Sequence, residues 1–235
     1  MKKENVKNII IGVLCLIVII LIIIMFFIKG STKYKYYDDK LIEINNKTEF
    51  EVKANILYNT TLAVLVKSNE DKTYNGSVDI KAYDELGKQI ISDNVKQLVL
   101  ENNSNVFMFR LPDLDKDQYA GKIKISINKE DVSYKNKMDV GKIKYSLTKK
   151  ANDDNSLTVD VNFNNNNTEK LSLLDGYIVA FKDNDIVGVQ YFNNENIVDD
   201  SNVSAKATFV AGTGYKPFEY DKIEVYITHI AGNLQ

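Results

Sequence analysis

The sequence predicts an all-β protein in which two tandem β-sandwich domains follow a single N-terminal transmembrane helix. Three observations lead to this architecture: a twenty-residue uncharged apolar run near the N-terminus, apolar–polar alternation along much of the remaining chain, and recurrence of that alternation about 100 residues later. The chain has 235 residues, which is enough for a membrane anchor and two domains of ordinary size.

The apolar run extends from Ile9 to Ile28 and is the predicted membrane anchor, so the lipid bilayer is the first expected partner. Twenty helical residues at about 1.5 Å each span about 30 Å, the thickness of the hydrocarbon core. A buried core helix would be shorter and would carry a polar face. The run ends without the small residues of a cleavage site. We therefore expect an uncleaved signal anchor at residues 9–28, with residues 1–8 as its cytoplasmic head.

Lysines flank the predicted anchor on both sides. Three precede it, Lys2, Lys3 and Lys7, and three follow it, Lys29, Lys33 and Lys35. The positive-inside rule is therefore nearly balanced. A short basic head before a long apolar run is the usual layout of a signal anchor, so we expect a single-pass protein of the cell membrane with its N-terminus inside and its C-terminal region extracytoplasmic. Residues 29–40 are the expected spacer, whose tyrosines fit either the membrane interface or a first edge strand.

Period-two alternation begins after the spacer. Val52, Ala54 and Ile56 alternate with charged and amide side chains, and the same spacing recurs in Leu62/Val64/Val66, Val78/Ile80/Ala82 and Ile123/Ile125/Ile127. Such alternation predicts strands with one buried face. Turn-forming residues separate these segments at Asn45-Asn46, Asn75-Gly76, Leu86-Gly87 and Asn102-Asn103.

The second half of the polar region repeats the pattern of the first. Leu62-x-Val64-x-Val66 reappears as Leu157-x-Val159-x-Val161, Ala82-Tyr83-Asp84 as Ala180-Phe181-Lys182, and Ile123 to Ile127 as Ile223 to Ile227. Three matches in the same order indicate a duplicated unit of about a hundred residues, the size of a β-sandwich. We therefore expect domain 1 at residues 41–133 and domain 2 at residues 134–235, with the boundary in the polar run from Asn128 to Gly141.

The local pattern resembles the FxLYD-type domain of bacterial membrane-anchored surface proteins. The matching features are Val64-x-Val66, the turn at Ser68-Asn69, and Ala82-Tyr83-Asp84-Glu85-Leu86-Gly87-Lys88, in which an aromatic-Asp pair precedes a glycine turn. The second half departs from the motif, because Phe181-Lys182-Asp183-Asn184 lacks both the aromatic-Asp pair and the glycine. The resemblance implies two immunoglobulin-like sandwiches and an exported accessory or binding module, and it implies no catalytic residues.

Composition argues against several classes of activity. Cys15 is the only cysteine and lies in the apolar run, and His229 is the only histidine, so the polar region has neither a disulfide nor a thiolate or zinc site. Net charge is -2 with both signs interspersed, which is unlike a nucleic-acid-binding protein. The sequence has no Gly-rich phosphate loop. We expect no cofactor, no metal, no catalytic residues and no nucleic-acid partner.

Three polar features are better explained as structural than as catalytic. His229 keeps the parity of Ile223 to Ile227, which places it on the same face as those core residues at a strand end. Adjacent acids such as Asp153-Asp154 point apart on an extended chain and so make poor acid–base pairs. Asp183-Asn184-Asp185 lacks the full calcium-loop signature and is expected to form a hairpin turn.

Four aromatic residues are the candidate partner-binding residues. Tyr191 and Phe192 are adjacent, so one of them faces solvent if this segment is extended. Tyr215 and Phe218 flank Pro217 in a predicted loop. Exposed aromatic side chains often anchor protein partners. The alternative for Tyr215 and Phe218 is that they plug the open end of a sandwich.

These features together favour a non-catalytic, membrane-anchored extracytoplasmic binding or adaptor protein of a bacterial cell envelope. The expected partner is another envelope protein or a cell-wall polymer. The main alternative is a structural subunit of a membrane-spanning envelope complex, in which the anchor itself makes contacts. A carboxylate-dependent hydrolase is the least favoured alternative, because no acidic pair has a spacing suited to general acid–base catalysis.

The first prediction concerns the anchor. Protease added to intact, wall-stripped cells should remove the polar region, because that region is expected outside the membrane and the anchor is expected to be retained. The measurement is an immunoblot, with a cytoplasmic protein as the control for cell integrity. Protection of the polar region until lysis would contradict the orientation, and a mature N-terminus near Ser31 would contradict the retained anchor.

Overall fold

The computed structural model describes residues 35–46, 50–70, 73–100, 103–130, 139–195, 197, 203–211 and 216–232. The predicted anchor at residues 9–28, the predicted boundary at residues 133 and 134, and Tyr215 lie outside the described residues. Over the described ranges the chain forms strands and two short 3-10 helices, so the prediction of an all-β fold is confirmed. No helix in this part of the chain is long and apolar enough to cross a membrane.

The described residues of the first half form seven strands in two sheets. They are β1 (Ile42–Asn46), β2 (Glu51–Leu57), β3 (Thr61–Lys67), β4 (Tyr74–Asp84), β5 (Gln89–Leu100), β6 (Ser104–Arg110) and β7 (Ala120–Glu130). One sheet has the order β1-β7-β4-β5 and the other β2-β3-β6. The β1 strand is parallel to β7, and the remaining pairs are antiparallel. A 3-10 helix, Asp39–Leu41, precedes β1 and is capped by the Asp38 carboxylate.

In the second half the described residues form six strands, also in two sheets. They are β8 (Ile143–Ala151), β9 (Leu157–Asn165), β10 (Leu171–Lys182), β11 (Asp185–Glu195), β12 (Val203–Phe209) and β13 (Lys222–Gly232). The sheet orders are β12-β9-β8 and β11-β10-β13, and all pairs are antiparallel. A 3-10 helix, Val140–Lys142, leads into β8. The pairing of β8 to β13 repeats that of β2 to β7 strand by strand, and β1 is the one strand of the first half without a counterpart among the described residues.

Each half buries an apolar core between its two sheets, as in a β-sandwich. The first core brings together residues of alternate positions on facing strands, such as Val64 on β3 and Ile125 on β7. The second does the same with Val161 on β9 and Ile178 on β10. Tyr37, which the sequence places in the spacer, is buried in the first core, and its hydroxyl donates to the main-chain O of Pro112 at 3.0 Å. Burial, together with the nearby Asp113 carboxylate, raises the pKa of Tyr37 to about 12.

Two of the predicted turns are strand residues instead. Asn45 and Asn46 belong to β1 and pair with Ser126 and Ile127. Asn75-Gly76 lies inside β4, where the main-chain O of Asn128 is 1.9 Å from the position a Cβ would take at residue 76. The glycine is therefore required by a close cross-strand approach and not by a turn conformation. The Leu86-Gly87 prediction is confirmed, since these residues connect β4 to β5 and Gly87 has a φ of +79°.

The two halves meet through the outer faces of two sheets. Leu57, Ala63, Leu65 and Val106 of the β2-β3-β6 sheet pack on Val179, Phe181, Ile186 and Tyr226 of the β11-β10-β13 sheet. We call this cluster the seam. The alternation of Leu62, Val64 and Val66 predicts one buried face for β3. Ala63 and Leu65 are buried as well, because they lie in the seam. The strand is therefore buried on both faces.

Polar contacts also cross the seam. The Ile186 main-chain N–H donates to Asn55 Oδ1 at 2.9 Å, in a buried position. Asn55 Nδ2 in turn donates to Asp39 Oδ2 at 3.3 Å, which links the seam to the start of the first half. At one margin, Lys67 Nζ lies 3.8 Å from the Glu224 carboxylate. Since a buried N–H without an acceptor is costly, Asn55 fixes how the two halves fit together.

The seam yields a stability prediction. Replacement Asn55→Ala should lower the free energy of unfolding by about 1–3 kcal/mol, because the buried Ile186 N–H would lose its acceptor. Urea denaturation of the full-length protein measures this change. The matched control is Asn162→Ala, since Asn162 is exposed on β9 and its loss should change stability by less than about 0.5 kcal/mol. Equal stability of the two variants would show that the Asn55 contact does not hold the seam.

Candidate partner-binding surface

The adjacent aromatics on β11 point to opposite faces of their sheet, as the sequence predicts for an extended segment. Phe192 is buried in the second core, and its ring centroid lies 5.3 Å from that of Phe163. Tyr191 is 53% exposed on the other face. Tyr191 is therefore accessible to a partner, whereas Phe192 packs in the second core.

Phe218 packs at one end of the second half. Its ring stacks on Phe209 at a centroid distance of 5.3 Å and an interplanar angle of 19°. Gly188 makes room for this stack, because a Cβ at residue 188 would lie 2.6 Å from Phe209 and 3.1 Å from Phe218. Phe218 is half-buried against the second core, which is the plugging arrangement that the sequence left as the alternative. Tyr215 lies outside the described residues, so its predicted role stays a prediction.

Tyr191 belongs to a cluster of polar and aromatic side chains on the outer face of the β11-β10-β13 sheet. Its ring lies 5.2 Å from that of Tyr177 on β10. The Tyr191 hydroxyl donates to Asp175 Oδ2 at 3.3 Å, and Asn193 Nδ2 donates to the Tyr191 hydroxyl at 3.2 Å. Thr228 Oγ1 donates to Asp175 Oδ1 at 2.8 Å. We call Asp175, Tyr177, Tyr191, Asn193 and Thr228 the tyrosine patch.

The tyrosine patch begins where the seam ends. Tyr177 is half-buried and packs against the seam cluster, while Tyr191 beside it on β11 is exposed. Burial raises the pKa of Tyr177, and the neighbouring Tyr191 and the Asp175 carboxylate raise that pKa further. Tyr177 therefore stays neutral at physiological pH. The patch presents two neighbouring phenol rings and the Asp175 side chain, which accepts hydrogen bonds from Tyr191 and Thr228.

The position of His229 differs from the sequence prediction. A bulge in the β10–β13 pairing between Asp175 and Gly176 places Thr228 as an extra residue of β13. After the bulge, Ile230 faces the second core opposite Leu174, and His229 lies opposite Asp175. The prediction that His229 lies on the same face as Ile223 and Ile227 is therefore wrong, because a bulge reverses the alternation. His229 lies on the face of the tyrosine patch and is half-buried.

The remaining acidic features have structural roles. Asp154 accepts hydrogen bonds from the hydroxyl and then from the main-chain N–H of Ser156, and these lower the Asp154 pKa, the hydroxyl more strongly. Asp183 and Asn184 form the β10–β11 turn with φ of 50° and 70°, so the expected hairpin turn is confirmed. In the described ranges no group of three His, Cys, Asp or Glu side chains is arranged to hold a metal.

The aromatic-Asp pair of the first half, Tyr83-Asp84, has a local structural role through Asp84. Asp84 Oδ1 accepts from the main-chain N–H of Leu86 at 3.0 Å and of Lys88 at 2.8 Å. Asp84 is buried and closes the turn that contains Gly87. In the second half the turn between β10 and β11 has only two residues, Asp183 and Asn184, and the Asp183 main-chain N–H donates to Asp221 Oδ2 at 2.7 Å.

Sequence reasoning found Tyr191 but missed Asp175, Tyr177, Asn193 and Thr228. Asp175 and Tyr177 lie on β10, Asn193 on β11 and Thr228 on β13, and only the register of the three strands brings them together. The alternation of β10 is a usable signal for Tyr177, because it places this residue on the face opposite Ile178. The bulge at Thr228 leaves no such signal in the sequence.

Comparison with known proteins gives little further information. The chain matches no family model and no curated protein. Among solved structures, the crystal structure of red sea bream transglutaminase matches 69% of this chain at 11% sequence identity with a TM-score of 0.25. The matched region spans 27% of that protein's chain, and a similarity this low supports no argument about fold or activity.

The packing of Phe218 yields the third prediction. Phe218→Ala should lower the free energy of unfolding by about 2 kcal/mol, because it removes a half-buried ring and one side of the Phe209 stack. The exposed Tyr191→Ala is the matched control and should change stability by less than about 0.5 kcal/mol. Thermal unfolding followed by circular dichroism measures both variants. Unchanged stability in Phe218→Ala would contradict the plugging role and return Phe218 to the candidate contact residues.

Proposed function

We propose that this chain is a non-catalytic binding or adaptor protein, anchored in the membrane of a bacterial cell and exposed outside it. Its two halves are proposed to be tandem immunoglobulin-like domains, supported by the repeated strand pairing and by the separate core in each half. The proposed anchor is the apolar run at residues 9–28, and its length supports a single pass. The partner is another envelope protein or a cell-wall polymer.

The observation that carries the binding proposal is the exposed Tyr191 ring within the tyrosine patch. Tyrosine supplies a large contact area and a hydroxyl with little loss of side-chain entropy, which explains its enrichment at binding hot spots. Here the ring is already held in place by Asp175, Asn193 and the neighbouring Tyr177. A partner would therefore meet a preorganised surface, and preorganisation lowers the entropic cost of binding.

The tyrosine patch gives a crosslinking experiment in intact cells. A photo-crosslinking amino acid at position 191 should capture one partner, whereas the same group at Tyr36, which is exposed but outside the patch, should not. In parallel, Tyr191→Ala should reduce recovery of that partner, consistent with an affinity loss of about thirtyfold for a hot spot of about 2 kcal/mol. Thermal unfolding of Tyr191→Ala should remain close to that of the unmodified protein.

Three results separate the alternatives. Identical crosslinks from positions 191 and 36 would reject the tyrosine patch as a contact site. Recovery of a stoichiometric set of membrane proteins that survives Tyr191→Ala would favour a structural subunit of an envelope complex. Reduced stability of Tyr191→Ala together with reduced recovery would assign Tyr191 a packing role and reject the binding proposal at this surface.

A further inference from the structure

The chain enters the first half at one end of its sandwich. The parallel strands β1 and β7 both begin at this end, and the β4–β5 turn lies there because Asp84 pairs with Ala120 at the start of β7. The β2–β3 turn lies there too, because Thr61 pairs with Arg110 at the end of β6. We call the segments that meet here the entry end: residues 35–41, 58–60, 84–88 and 111–119.

Contacts between these segments hold the start of the described chain in place. Lys35 Nζ donates to the main-chain O of Lys116, and the same ammonium lies 5.4 Å from the centre of the Tyr119 ring. The Glu85 main-chain N–H donates to the main-chain O of Tyr119 at 3.1 Å. Tyr37 is buried in the first core. Lys35 is therefore fixed beside the β4–β5 turn and the β6–β7 connection.

The entry end exposes large apolar side chains in its turns. Leu86, in the β4–β5 turn, is 86% exposed and is the most exposed large apolar residue of the described chain. Tyr36 is 64% exposed beside Lys35. Tyr58 in the β2–β3 turn is half-exposed, and its hydroxyl donates to the main-chain O of Val210 in the second half. Single apolar residues are common on protein surfaces, so the grouping at one end matters more than any one of them.

The predicted anchor comes immediately before this end in the sequence. Six residues, 29–34, separate Ile28 from Lys35. An extended chain advances at most about 3.3–3.6 Å per residue, so Lys35 lies within about 25 Å of the end of the anchor. The headgroup region takes up about 5–8 Å of that distance. The eleven residues of β7 place the opposite end of the first half about 35 Å further along the strands, so the entry end is the one nearest the membrane.

Charge does not favour contact between the entry end and an anionic surface. Asp113, Asp115 and Asp117 are exposed in the β6–β7 connection, with Lys116 among them. Contact with lipid would therefore be apolar. A short covalent link to the anchor keeps the local concentration of bilayer high, so one leucine and one tyrosine are enough for a weak contact. Tyrosine is also enriched where proteins meet the headgroup region.

We propose that the entry end lies against the bilayer that holds the anchor, with Leu86 and Tyr36 in the headgroup region. This inference rests on the proposed anchor and goes beyond it, because it assigns a lipid-facing surface to the folded first half. It holds for either side of the membrane. The contact would set the orientation of the first half on the bilayer, and the seam would carry that orientation to the second half.

The test uses tryptophan fluorescence, because the chain has no tryptophan of its own. The full-length Leu86→Trp variant is reconstituted in phosphatidylcholine vesicles, with and without bromine on the acyl chains as a contact quencher. We expect about twofold quenching, since an apolar side chain at the interface reaches the boundary of the acyl chains. The matched control is Val95→Trp, which should not be quenched. Val95 is 53% exposed and lies about 20 Å along β5 from the start of that strand.

A second pair of variants tests whether Leu86 itself makes the contact. Tyr36→Trp should also be quenched about twofold, and adding Leu86→Asp should remove at least half of that quenching, because a carboxylate stays out of the acyl boundary. Thermal unfolding should be the same for both variants, since Leu86 is exposed. Quenching should persist in about 1 M sodium chloride, because an apolar contact is not screened by salt.

Flotation of the vesicles separates this inference from the proposed function. Failure of the protein to float with the vesicles would reject the anchor, and this inference with it. Flotation without quenching of Leu86→Trp, or with equal quenching of Val95→Trp, would overturn the inference and leave the anchor in place. Loss of quenching in salt, or no effect of Leu86→Asp on the Tyr36→Trp signal, would overturn the apolar contact. A blue shift of Leu86→Trp emission without quenching, rising with the protein-to-lipid ratio, would assign Leu86 to a contact between copies and overturn the proposal.

Discussion

Burial of β3 on both of its faces is the constraint on which the arrangement of the two halves depends. Leu62, Val64 and Val66 face the first core, while Ala63 and Leu65 face the seam. Fully burying one large aliphatic side chain contributes about 1.5–3 kcal/mol to the free energy of unfolding. Because β3 buries side chains in both the first core and the seam, the stability of the core and that of the seam are coupled. Loss of the seam would expose Leu65 and Phe181 together, and an exposed apolar face of this kind is prone to association.

The seam also determines which surfaces remain accessible. It covers the outer face of the β11-β10-β13 sheet around Val179 and Phe181, and it stops at Tyr177. Tyr191 is exposed because it lies beyond this limit. The buried hydrogen bond from Ile186 to Asn55 fixes the orientation of the sheets, since a shifted seam would leave that N–H without an acceptor. Because this hydrogen bond fixes how the two halves pack, it also determines that the tyrosine patch lies beyond the seam.

The two halves share a pairing pattern but differ at their edges. In the first half β1 covers β7, whereas the described part of the second half leaves β13 uncovered. Exposed edge strands expose main-chain groups to unwanted pairing, and proteins commonly limit them with bulges, charges or a covering segment. The β13 edge has a bulge at Thr228 and Lys222 at its start, so the accessible stretch is short.

The sequence alone determined the strand character of the chain and the recurrence of its pattern, because side-chain alternation is local and survives in any β packing. It also identified Tyr191, since adjacent residues on a strand must point to opposite faces. Tertiary structure decided what alternation leaves open: that Ala63 and Leu65 are buried, that Asn75-Gly76 lies within β4, and that a bulge moves His229 to the face of Asp175. Each of these depends on a neighbouring strand or sheet far away in sequence. The tyrosine patch belongs to the same class, because register is a property of strands in contact and not of any one segment.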